Sequence, residues 1–273
     1  MKSTKELESY ADYLLQRELA LQTRDIYLKQ AENFLNFLGD RAVTKKETIA
    51  YKQLLLNQNH KISTINLHIV ALNSYLKYAG CSEFSVKTIK VQNRMCPDNI
   101  ITLEEYRNLL ICAKESGRDK YYCIMRTLAL TGIRVSELSG CTVESLKKGS
   151  FLIYNKGKNR EIYLPDKLVA ELSEYCIQEG ICKGVIFRGN TGKSISRTAV
   201  YKMLTQLADY VGIPKYRAHP HSFRHLFAIT YMQKYSNLFE LADLLGHSSL
   251  ETTRIYTTTT AEEKRKKINR LEL

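Results

Sequence analysis

The chain has 273 residues, 44% hydrophobic and 25% charged, and its formal net charge is +13, from 41 Lys and Arg against 28 Asp and Glu. That balance excludes a disordered chain, allows one or two globular domains, and calls for a polyanionic partner such as nucleic acid. No stretch approaches a membrane-spanning helix, the first ten residues lack an apolar signal core, and seven cysteines without a CxxC pair point to reduced thiols in the cytoplasm.

The N-terminal segment reads as helices joined by short turns. Leu7, Ala11 and Leu14 form one apolar stripe; Tyr27, Ala31, Phe34, Leu35 and Leu38 form a second, closed by Gly39. A third helix is expected after Thr44. Ile65, Ile69, Leu72 and Leu76 mark a fourth, with Asn66, Asn73 and Lys77 along a polar strip. Periodicity fades from Ser82, and Lys87, Lys90, Arg94 and Pro97 suggest a basic linker over residues 83–99. A new domain opens at Thr102, where Thr102-Leu-Glu-Glu105 has the pattern of a capping box, and helices are expected to continue to about Leu138. Phe151–Tyr154 and Glu161–Leu164 are β-rich runs around the cationic turn Asn155-Lys-Gly-Lys-Asn-Arg160, which predicts a hairpin. After Pro165 the chain returns to helices, apart from the short apolar piece Val185–Phe187.

Four separated segments carry chemistry-bearing residues. Gly132-Ile-Arg134-Val-Ser-Glu137 places a carboxylate three residues from a guanidinium, where it can orient it. The hairpin turn holds Lys156, Lys158 and Arg160, and a turn of that kind can press an amine against a phosphate or a leaving oxygen. In His219-Pro-His221-Ser-Phe-Arg224-His225, Pro220 suits a first helical turn, with His221 and Arg224 three residues apart on one face. His221 and His225 have the spacing of a metal-binding pair, but Ser222 stands where a zinc protease would need Glu, and no cysteine or carboxylate cluster completes a ligand set, so no metal site is expected. In the fourth segment Gly246 ends a helix, Ser248-x-x-Glu251 has the pattern of a box starting the next, His247 sits in the joint, and Tyr256 follows about two turns later.

Together these residues suit phosphodiester cleavage. Attack by an oxygen builds negative charge on the nonbridging oxygens, which two arginines can hold with charge-assisted bonds. A phenol ionises only near pH ~10 and needs cationic surroundings or a base, for which His221 is the candidate; His247 can donate to the phosphate, and a hairpin lysine can protonate the departing oxygen.

The Gly-Ile-Arg134-x-Ser-Glu box, Lys156-Gly157, His221-x-x-Arg224-His225, Leu-Gly-His247 and Tyr256 nine positions later resemble the tyrosine recombinase and phage-type integrase family, in order and over nearly the full length. The resemblance implies a mainly α protein, with a helical core-type DNA-binding domain at 1–82 and a mostly helical catalytic domain with a small antiparallel sheet at 100–273. It implies Arg134, Lys156, His221, Arg224, His247 and Tyr256 as the active site. Lys156 aligns best with the family lysine and Lys158 is the alternative. Arg24, Asn73, Lys77 and Lys158 are the expected DNA contacts. It further implies a 3′-phosphotyrosyl intermediate, strand exchange through a Holliday junction by a tetramer on two duplex sites, and no metal or nucleotide cofactor. The length fits chromosome-dimer resolution enzymes as well as small integrases or invertases of mobile elements; the run Thr257–Thr260 and the charged tail after it look more like the mobile-element branch, with the tail expected to dock on a neighbouring protomer. A type IB topoisomerase and a non-catalytic DNA-binding regulator are the competing readings.

Overall fold

The N-terminal apolar stripes fold into α1 (Lys2–Gln16), α2 (Leu21–Leu38), α3 (Lys45–Asn57) and α4 (Ile62–Tyr78). The computed structural model describes residues 2–90, 100–155, 158–247, 249–257 and Asn269. It divides into two units, Met1–Asn93 and Arg94–Leu273. In the first, Tyr10, Leu14, Phe34, Tyr51, Leu72 and Tyr75 meet in a shared core. Gly39 closes α2 at φ 58°, and the Thr44 hydroxyl caps α3 by accepting from the Glu47 amide.

A 3₁₀ turn, Ser82–Phe84, follows α4, and the chain beyond it lies back along that helix. Asn73 grips Val86 at both ends, its Nδ2 donating to the carbonyl at 2.8 Å and its Oδ1 accepting from the amide at 3.0 Å. Asn66 holds Ile89 in the same way, at 2.9 and 2.8 Å. The polar strip of α4 therefore fastens a segment whose Val86 side chain is 6% exposed, because the amides of an extended segment need partners that no strand supplies here. This corrects one expectation: residues up to Ile89 belong to the folded unit rather than to a linker starting at 83. The Asn73 amide, expected at the DNA, is engaged with Val86. Residues 91–99, the rest of the expected linker, lie outside the described residues.

The second unit contains α5 (Leu103–Glu115), α6 (Asp119–Thr131), α7 (Val143–Lys148), the hairpin β1 (Ser150–Asn155) and β2 (Lys158–Tyr163), then α8 (Asp166–Gln178), α9 (Arg197–Tyr210), α10 (Pro220–Tyr235), α11 (Leu238–Leu245) and α12 (Glu251–Arg254). The protein is thus mainly α, with one two-stranded antiparallel sheet among the described residues. The Thr102–Glu105 capping box forms in full. The hairpin pairs Ser150 with Tyr163 and Ile153 with Arg160. Its faces alternate with the period of a strand: Phe151, Ile153 and Ile162 are buried, whereas Leu152 and Tyr163 are exposed.

One local expectation is corrected. The helical run does not reach Leu138: α6 stops at Thr131 because Gly132 turns left-handed at φ 61°, and Val135–Gly140 forms a 3₁₀ turn. The helix before Tyr256 starts at Glu251, and the Ser249 hydroxyl accepts from the Glu251 amide at 3.3 Å. Ser248 lies outside the described residues, as does the tail from residue 258 onward apart from Asn269.

Candidate active site

The site is built where α6, α10 and α11 end or begin. His219 caps α10, its Nδ1 accepting from the Ser222 amide at 3.1 Å, and Pro220 occupies the first turn. This start sets Arg224 facing inward, and its side chain is among the most deeply buried in the protein, at 1% exposure. Its Nη1 donates to the Gly132 carbonyl at 2.7 Å and its Nη2 to the Leu245 carbonyl at 2.5 Å. One guanidinium thus donates to the orphan carbonyls at the ends of α6 and α11, which helix geometry leaves unpaired. Its Nε finds no partner among the described residues. Gly132 has to be glycine for two reasons: its φ is positive, and a Cβ there would stand 2.5 Å from Phe227 Cδ1.

Gly246 ends α11 at φ 62° and swings His247 toward the same guanidinium. Arg224 Nη2 lies 3.1 Å from His247 Nε2, and His247 Nδ1 lies 2.8 Å from the Thr253 hydroxyl. A guanidinium can only donate, so Nε2 accepts and Nδ1 carries the imidazole proton to Thr253. Burial, reinforced by Arg224, Arg134 and Arg160, holds His247 down at about 4.

Arg134 begins the 3₁₀ turn. Its amide donates to Glu137 Oε2 at 2.7 Å and its Nη1 to Glu137 Oε1 at 3.1 Å. Glu137 also receives Arg160 Nη2 at 2.5 Å, while Arg160 Nη1 donates to the Leu244 carbonyl at 3.0 Å. Arg134, Arg160 and His247 line one cavity. Arg224 is driven down to about 10, by burial first and then by Arg134 and Arg160, with Glu137 opposing. Three guanidiniums gathered around one carboxylate leave uncompensated positive charge, an arrangement completed by an anion.

Tyr256, just after α12, is 9% exposed and packs with Ala228, Leu241 and Leu245. Its hydroxyl lies 2.5 Å from His225 Nδ1. Burial pushes the phenol up to about 12, with Arg224 pulling the other way. His225 is driven down to about 3 by burial and then by His221, His219, Arg224 and His247. His221 opens to solvent on one side and sets its ring 4.4 Å from that of His225, edge to face. The protein around it, then Arg224, His219 and Arg134, hold it below the ordinary histidine value.

Of the six expected residues, Arg134, His221, Arg224, His247 and Tyr256 are therefore gathered in one neighbourhood. Lys156 lies outside the described residues, and of Lys158 only the backbone, in β2, is described. In the first unit Arg24 is half-buried on α2 and Lys77 is exposed in the last turn of α4. Among the described residues no group of three or more His, Cys, Asp or Glu is placed to hold a metal, and no helix is long and apolar enough to cross a membrane.

The model of the phage integrase family matches residues 99–263, more than half of the chain and all of this site. The chain belongs to that family. A tyrosine recombinase of Pseudothermotoga lettingae is 30% identical over 284 residues, covering 97% of each chain. Tyrosine recombinase XerA of Pyrococcus furiosus is 28% identical over 278 residues, covering 98% of this chain and 94% of its own. The fold is shared with the Tn1549 transposon integrase in complex with transposon right end DNA (TM-score 0.75, 17% identity, 98% of this chain and 99% of that one). As an integrase-family member the chain is a tyrosine-type site-specific recombinase.

Within this integrase site, the sequence pattern gives two residues no role. Arg160 stands out in it only as one of three turn cations, and His225 only as the end of a motif and half of a histidine pair set aside as a metal site. Spacing cannot single out either, because each finds its partner on a different element.

Proposed function

We propose that this recombinase cleaves duplex DNA with Tyr256 and holds the scissile phosphate between Arg134, Arg224 and His247. The observation that carries the reading is the convergence of two arginines and a histidine from separate elements beside a buried phenol hydrogen-bonded to an imidazole. Attack by Tyr256 on phosphorus gives a 3′-phosphotyrosine and a free 5′-hydroxyl, and the bond energy stays in the ester, so rejoining needs no nucleotide. Arg134 meets the nonbridging oxygens, held by Glu137, and Arg224 adds the buried charge. His247 takes up a proton as the phosphate enters, which turns Nε2 from acceptor to donor. Lys156, or Lys158 in its place, protonates the leaving 5′-oxygen.

In this reading the first unit, through Ile89, is the core-type DNA-binding region and residues 100–273 are the catalytic one, with Arg24 and Lys77 facing the duplex. Four protomers on two paired sites exchange strands through a Holliday junction, in the cytoplasm, to integrate, excise or invert a mobile element. The likeness of fold to the transposon integrase supports that role.

The deciding experiment is covalent trapping on a nicked suicide duplex, resolved on denaturing gels. Tyr256→Phe loses the adduct and keeps DNA binding; an adduct that persists moves the nucleophile elsewhere. Relaxation of supercoiled DNA without a specific site would favour the topoisomerase reading. Mapping the protected sequence then tells whether the sites bound a mobile segment.

A further inference from the structure

We propose that His225, rather than His221, accepts the proton of Tyr256, and that the scissile phosphate itself switches this base on. The inference rests on Tyr256 being the nucleophile and assigns a partner to it. Tyr256 Oη and His225 Nδ1 are 2.5 Å apart, both side chains are buried, and the rings stand 5.5 Å apart between centroids. His221 meets the imidazole of His225, not the phenol, and it is exposed. A base must reach the proton that it takes, and His225 is the imidazole within reach of Oη.

The groups that face His225 are His219, His221 and Arg224 from α10, His247 from the joint between α11 and α12, and Tyr256 itself. Arg224 in turn feels Arg134, Arg160 and Glu137. Without DNA this field is cationic, and it keeps His225 neutral and a poor proton acceptor, down at about 3. Tyr256, up at about 12, stays a neutral phenol. The resting hydrogen bond is therefore O–H donating to Nδ1, with no charge on either partner. A phosphodiester seated against Arg134 and Arg224 brings a negative charge into the same field, which stabilises an imidazolium and makes Nδ1 a competent base. The nucleophile is thereby kept inert until the bond to be cut is in place.

The step balances. As Tyr256 Oη bonds to phosphorus, its proton passes to His225 Nδ1; the bond from phosphorus to the 5′-oxygen breaks, and that oxygen takes a proton from the hairpin lysine. In rejoining, the 5′-hydroxyl returns its proton to the lysine as it attacks phosphorus, the bond to Oη breaks, and His225 gives its proton back.

The test compares full-length wild type, His225→Asn, His221→Asn and Tyr256→Phe in adduct formation on the suicide duplex between pH 6 and 9.5. Asparagine keeps an acceptor near the position of Nδ1 but does not take up a proton in this range. His225→Asn should bind DNA normally on native gels, form adduct about 100-fold more slowly at pH 7, and recover steadily as pH rises toward the ionisation of the phenol. Wild-type rate and pH profile in His225→Asn, or that signature in His221→Asn instead, would overturn the proposal. Adduct from Tyr256→Phe would refute the nucleophile assignment beneath it, a separable failure. Should His225→Asn not fold, ¹⁵N-histidine spectra of Tyr256→Phe keep the question open to refutation. The His225 titration should move upward when the target duplex is added, and an unmoved titration contradicts the switch.

Discussion

Arg160 donates to Glu137 at 2.5 Å with both side chains largely shielded from solvent, and so ties strand β2 to the turn that presents Arg134. The same guanidinium holds the Leu244 carbonyl, three residues before His247. Arg160 touches Gly246 so closely that a Cβ there would stand 2.7 Å from its Cδ. One side chain thus sets the distance between the two ends of the phosphate site. Removing one partner of a buried pair leaves the other charged and unpaired. Glu137→Gln should lower stability by about 3 kcal/mol in denaturant unfolding. It should also slow cleavage about 100-fold with little change in DNA affinity, since Arg134 loses its orientation. Unaltered cleavage by Glu137→Gln would remove the bridge from the mechanism.

Arg224→Lys should be nearly as damaging as Arg224→Ala. Lysine is a point charge on a flexible stem, unable to span the Gly132 and Leu245 carbonyls while also reaching His247. A cleavage rate lowered by about 100-fold or more is expected on the suicide duplex, and near-normal cleavage by the lysine variant would contradict the role of the planar fork.

The histidines of the site make stability depend on pH. His225 and His247 have folded values, about 3 and about 4, below the ordinary 6.5, and His221 is shifted the same way. The unfolded chain binds these protons first, so the contribution is present in full above pH ~6.5 and is lost as pH falls toward the folded values. Denaturant midpoints of the DNA-free protein should fall between pH 7.5 and 5, and His247→Gln should flatten that slope. A midpoint independent of pH over this window would show that the histidines are not held neutral by the fold.

Lys156→Ala should slow cleavage of an ordinary strand far more than cleavage of one with a 5′-bridging phosphorothiolate, because sulfur departs without a proton. If Lys158→Ala shows that rescue instead, the acid lies two positions further along the hairpin.

In the first unit, Asn73→Ala should cost about 1–3 kcal/mol of stability, because the amide and carbonyl of Val86 lose their partner. DNA affinity of the folded protein should be little changed. Lys77→Ala, at an exposed position, should instead weaken binding and reduce its salt dependence by about one ion. A large loss of affinity with unchanged stability in Asn73→Ala would return that residue to the DNA surface.

Features set by neighbours within a turn or two are legible in the amino-acid sequence by itself. The Thr102–Glu105 box, Pro220 in the first turn of its helix, the alternating hairpin and the helix end at Gly246 depend on backbone groups close in the chain, so residue type and spacing determine them. The motif residues also announce phosphoryl transfer, because few chemistries need two arginines, histidines and a tyrosine together, and their order carries the family resemblance. Hydrogen-bond partners across elements are decided only by the tertiary structure. In the sequence Asn73 is one amide on a polar strip, and only the return of the chain along α4 brings Val86 to it. Arg160 is a turn cation until α11 and the Arg134 turn pack around it. By sequence His221 is the candidate base, and His225 lies four residues further along the same helix. Packing of α10 against α6 and α11 buries His225 and leaves His221 open, and burial decides which imidazole meets the phenol.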